Sequence, residues 1–109
     1  MANGIGTATF TSGTGSKSIN SGISGNTWFI VEFRGAGIQP SVGYYFGGSQ
    51  FCYPGLNDSV VTGKAIQVKD TSGTIILEGT TTGISGNNLN FNITTAPGTM
   101  PGMLIRFGS

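Results

Sequence analysis

Histidine is absent from this chain, cysteine occurs once, and only five basic and four acidic side chains are spread over 109 residues. Each shortage excludes a class of chemistry. Without imidazole, neither a serine nor the lone Cys52 has an ordinary general base, so a nucleophilic triad is not available. A zinc cluster needs several His or Cys ligands, which one chain of this composition does not hold. The scattered carboxylates Glu32, Asp58, Asp70 and Glu78 make a poor calcium cage, and Asn57-Asp58 reads as a solvated turn. No metal, no other cofactor and no enzymatic activity is expected. A single cysteine forms no intrachain disulfide, which suits folding in a reducing cytoplasm. The net charge of +1 exerts no pull on nucleic acid or anionic lipid. No apolar run approaches the ~18 residues of a membrane span, and no charged-then-apolar leader is visible at Met1 to Ile5. Nucleic-acid binding and membrane insertion are therefore not expected.

What the chain does have is 20 glycines, set between short segments of alternating apolar and polar residues. Ala8 and Phe10 alternate with threonines. Phe29, Val31 and Phe33 alternate with Trp28, Ile30, Glu32 and Arg34. The same period of two runs through Ile66–Val68, Ile75–Leu77, Leu89–Ile93 and Met103–Phe107. This is the pattern of strands with one face on a core. Ser-Gly, Gly-Gly and Gly-Asn pairs between them suit tight reversals. The spacing predicts a single all-β domain over residues 1–109, an antiparallel β-sandwich, jelly-roll-like, with about eight strands. Thr11-Ser12-Gly13-Thr14 with Gly22 to Asn26 echoes Thr71-Ser72-Gly73-Thr74 with Gly83 to Asn87. Both copies read as turns, either two related hairpin units or turn chemistry used twice.

Two features bear on function. All three tyrosines and two phenylalanines fall between Tyr44 and Tyr53, around Gly47-Gly48. Aromatic rings with amide side chains are the elements of a sugar site, which needs neither charge nor metal. Tyr44, Tyr45, Gln50, Tyr53 and Asn57 are the candidate ligand-binding residues for one shared rim; the competing reading places these aromatics in a core or subunit interface. Trp28, Ile30 and Ile76 fall on the strand positions opposite the core residues, which makes them candidate interface residues. Glu32 and Arg34, two apart on one strand face, are expected to pair with each other.

The Gly/Ser/Thr-rich strands, the low charge and the opening Gly6 to Gly22 resemble small structural domains of bacteriophage virions: tail-fibre tips, receptor-binding heads and head decoration proteins. The resemblance lies in texture over most of the chain, and it assigns no binding residue. It implies a β-sandwich assembled as a homo-oligomer, a trimer above all. It also implies a virion location, with other virion proteins or a cell-surface glycan as partners. The alternative is a carbohydrate-binding module or lectin.

Overall fold

The computed structural model describes residues 3–55 and 58–109, and among them there are strands and no helix. Ten strands form: β1 (Gly4–Ala8), β2 (Gly15–Asn20), β3 (Trp28–Phe33), β4 (Ser41–Phe46), β5 (Ser49–Tyr53), β6 (Val61–Thr62), β7 (Ile66–Lys69), β8 (Ile75–Ser85), β9 (Asn88–Thr95) and β10 (Met103–Gly108). They build two antiparallel sheets, one in the order β1-β10-β3-β4-β5-β6 and one in the order β2-β9-β8-β7. Strands β3 to β6 and β7 to β9 run as meanders, each within its own sheet. The chain crosses between sheets at β1–β2, β2–β3, β6–β7 and β9–β10.

Alternation fixes which face of each strand is buried. Phe29, Val31 and Phe33 of β3 meet Leu89, Phe91 and Ile93 of β9, with Ile105 and Phe107 beside them and Val68 and Leu77 closing the layer. Phe91 makes edge-on contacts with Phe10 (5.1 Å between centroids) and Phe29 (5.3 Å), the geometry that the charge distribution of two rings favours. Phe10 lies beyond the end of β1, so it enters the core from a loop.

The turns follow from their glycines. Gly47 and Gly48 both have positive φ (54° and 85°), the type I′ geometry that joins β4 to β5. Gly86 alone is positive (63°) in the two-residue link from β8 to β9, which is the type II′ form. Gly43, on the inner side of β4, faces the Ala65 carbonyl so closely that a Cβ has no room there.

Strands β2 and β6 add to those visible in the pattern. In β2 only Ile19 is a large apolar residue on the inward side, and β6 is two residues long. The repeated turn segments serve different ends. The second copy frames the β8–β9 hairpin, whereas the first leads from β2 in one sheet to β3 in the other.

Candidate binding face

The two sheets differ on their outer sides. Outward positions of the four-stranded sheet are polar: Ser16 lies opposite Asn92, Ser18 opposite Asn90, and Asn20 opposite Asn88. The Ser18 hydroxyl donates to Asn90 Oδ1 at 2.9 Å. Outward positions of the six-stranded sheet are largely apolar and aromatic on β3 to β5, with Thr7, Glu32 and Arg106 toward β1 and β10. Registers place Trp28 beside Phe46, Ile30 between Arg106 and Tyr44, Tyr44 beside Phe51, and Val42 between Glu32 and Tyr53. Phe46 (42%), Tyr53 (40%) and Ile5 (62%) are among the most exposed large apolar side chains of the described residues.

The rings form a ridge. Trp28 stacks on Phe46 (5.8 Å, 19°), Phe46 on Tyr44 (6.2 Å, 26°), and Tyr44 on Phe51 (4.9 Å, 17°). Near-parallel rings at these separations are offset stacks, one of the two arrangements that aromatic pairs favour. Tyr53 alone stands across the stack, at 88° to Tyr44. The Trp28 indole lies where Gly108 has no side chain, so a Cβ at Gly108 would strike the ring. Beside the ridge, over β1, β10 and β3, runs an open trough of about 740 Å³ bordered by Thr7, Glu32, Leu104 and Arg106. At the other side of Glu32, a cleft of about 280 Å³ lies between Arg34, Ser41, Tyr44 and Tyr53.

The predicted site residues separate in this geometry. Tyr44 and Tyr53 are on the outer face. Tyr45 points inward, stacked on Phe29 at 5.2 Å. Gln50 also points inward, where its amide accepts from the Thr81 N–H (2.8 Å) and donates to the Thr81 carbonyl (3.1 Å). Period-two alternation puts Tyr44 and Tyr45 on opposite sides, so the proposed common rim does not form from these residues. Asn57 lies outside the described residues. Trp28 and Ile30 are on the outer face as expected from alternation, but Ile76 packs against the core. A register shift between Val68 and Lys69 pairs Lys69 with Ile75, and it is Ile75 that stands exposed. Phe46 shares the face with Tyr44 and Phe51 with Tyr53, as alternation along the hairpin predicts, whereas Val42 and Leu104 also belong to the face and were not singled out from the sequence. Their positions follow from the same alternation once strand order is known.

Charge on this face is confined to Glu32 and its neighbours. Glu32 pairs with Arg106 across the strand boundary (3.2 Å) and not with Arg34, which has no ion-pair partner among the described residues. Elsewhere, Asp58 pairs with Lys69 at 3.0 Å and Glu78 with Lys64 at 3.2 Å. Donation from Gln67, then from Lys64, holds the Glu78 carboxyl below the usual range despite partial burial. Asp70 accepts from the Ser72 hydroxyl and from the Thr74 and Ser72 amides, and these bonds lower its pKa as well. All four carboxylates are thus bound into ion pairs or a turn. Burial, then the nearby Glu78 charge, pushes the Cys52 thiol up to about 11. No group of three or more His, Cys, Asp or Glu side chains able to hold a metal ion forms among the described residues.

Comparison with protein-family models, with curated proteins and with solved structures found no match for this chain.

Proposed function

We propose that this chain is a non-enzymatic structural domain of a bacteriophage virion, of tail-fibre, receptor-binding or capsid-decoration type, that acts by self-association and surface contact. The observation that carries the reading is the contrast between the two outer surfaces. One is a polar ladder suited to water, and the other carries neighbouring apolar and aromatic side chains, with Phe46, Tyr53 and Ile5 exposed, of the kind that marks contact surfaces. The engagement of every carboxylate and the neutral, buried thiol support a role in contact over one in catalysis. The virion location rests on the texture of the sequence. It is tested by fractionating a lysate of cells that produce the native protein. The protein is expected to sediment with particles of virion size; recovery only at low mass would end the virion reading.

A second reading, binding of a cell-surface glycan, is favoured by the cleft beside Tyr53. That ring is not stacked face to face in the ridge, so it keeps a surface for a sugar, with Arg34 as a donor. Tyr45 cannot test this, because its removal would open the core. Tyr53→Ala leaves the inner face intact and is expected to abolish retention on a glycan array; unchanged retention, or none by the parent protein, refutes the reading.

A further inference from the structure

We infer that the cleft beside Tyr53 is a binding site for a sugar that carries a carboxylate, a uronic or sialic acid, with Arg34 holding the acid group. The inference rests on the glycan reading above and names the class of sugar.

Charge is the first argument. Arg34 follows Phe33, the last residue of β3, and alternation sets it on the outer side with Trp28, Ile30 and Glu32. Its side chain is exposed and makes no ion pair among the described residues. None of the four acidic side chains is left for it. Glu32 pairs with Arg106, Asp58 with Lys69 and Glu78 with Lys64, while Asp70 is bound into its own turn. Two arginines therefore stand against one glutamate on this part of the face, and one positive charge is unmatched. An apolar surface laid over Arg34 would bury that charge without a partner, at a high cost. An occupant with its own carboxylate meets the charge, because a guanidinium takes a carboxylate through two parallel hydrogen bonds. A phosphate monoester, with nearly two charges, calls for more than one free cation.

Shape is the second argument. Arg34 borders three hollows, and their linings select one. The trough over β1 and β10 has no ring in its walls, and the hollow toward Ile76, Met100 and Pro101 has none either. Of the three, the cleft of about 280 Å³ alone adds aromatic walls, Tyr44 and Tyr53, to the guanidinium. Tyr53 is 40% exposed and stands across the stack, so its face is open to the apolar side of a sugar ring. Strand β4 separates β3 from β5, which sets the backbones carrying Arg34 and Tyr53 about 10 Å apart. A sugar ring fits between them, with its acid group toward Arg34. The volume lies at the lower end of the ~300–1,000 Å³ of small-molecule sites, which suits one terminal sugar rather than a long stretch of chain.

The test is retention on an array of uronate- and sialate-terminated glycans in matched pairs, each as the free acid and as its methyl ester. Esterification removes the charge and keeps the ring. The parent protein is expected to hold the acids at least ~10-fold more tightly than the esters. Arg34→Gln, at an exposed position, is expected to bring the acids down to the level of the esters, and Tyr53→Ala to abolish retention of both. Lys17→Gln, on the other sheet, is expected to change nothing. An acidic peptide on the same array is expected to hold no protein. Equal retention of acids and esters, lost on Tyr53→Ala, overturns this inference and leaves the glycan reading standing. So does a preference for acids that needs Tyr53 but survives Arg34→Gln or falls equally with Lys17→Gln. Retention indifferent to Tyr53→Ala, or no retention of any glycan by the parent protein, overturns both.

Discussion

Cys52 shows how far a single side chain was determined by its neighbours. As the only thiol in a chain without histidine, it reads from sequence as a small apolar residue of a strand, and the structure buries it on the inner side of β5. Burial disfavours the thiolate, which is the reactive form. Cys52 is therefore expected to resist alkylating reagents at pH 8 in the folded protein and to react fully in denaturant; rapid native labelling would contradict its placement. The same shift sets a pH dependence. The folded-state value of about 11 stands above the ordinary 9.0, so the unfolded chain ionises first. This contribution to stability is complete below about pH 9 and is lost as the pH rises toward 11, which an alkaline titration of the melting temperature would record. Tyr45 and Gln50 mark the opposite limit. Composition grouped them with Tyr44 and Tyr53 because they are neighbours in sequence, but adjacent strand residues point to opposite faces.

At the level of elements, the least regular part of the second sheet is held by a side chain of the first. Strand β8 runs past the end of β7, which pairs with it only as far as Gly79. Beyond that point the Thr81 amide and carbonyl have no β7 partner, and the Gln50 carboxamide takes both. Thr81 in turn accepts the Gly83 N–H at 3.0 Å through its hydroxyl, where the ladder to β9 shifts register. Gly83 has φ of 108°, which only glycine adopts without strain. Gln50→Ala is expected to leave two buried backbone groups unpaired and to cost about 1–3 kcal/mol. For a chain of this length each kcal/mol lowers the melting temperature by about 4–8 °C. Hydrogen exchange at Thr81 should accelerate well beyond that at Leu89; equal protection in both proteins would show that Gln50 is not the clamp. This clamp was not legible in the sequence, because nothing in a run of residues says where a neighbouring strand stops. Strand β2 was missed for a related reason. Its inward positions are Gly15, Lys17 and Ile19, too little apolar surface to show a period.

For the molecule as a whole, the all-β two-sheet architecture was legible because alternation and turn glycines carry it directly. Strand order was not, and the binding face depends on it. Trp28 and Ile30 already stood out as apolar residues opposite the core, but only the pairing β10-β3-β4-β5 sets them against Phe46, Tyr44 and Phe51 as one surface. Ile76 failed as a face residue because a single register shift exchanges it with Ile75. Such shifts have no signature in a stretch of consecutive isoleucines.

The contrast between one apolar surface and its polar or blunted surroundings has a consequence for growth. A building block is defined by its valence, the number of sites through which it can be joined at once. The four-stranded sheet is covered in Ser and Asn where β2 faces β9, and the edge strand β6 is two residues long, so on the reading proposed above the apolar face is where such a unit is joined. Monovalent units terminate on first contact. A unit joined through that face alone would stop there, and a larger lattice would need a second connection, for which the free edges of β1 and β7 are the places.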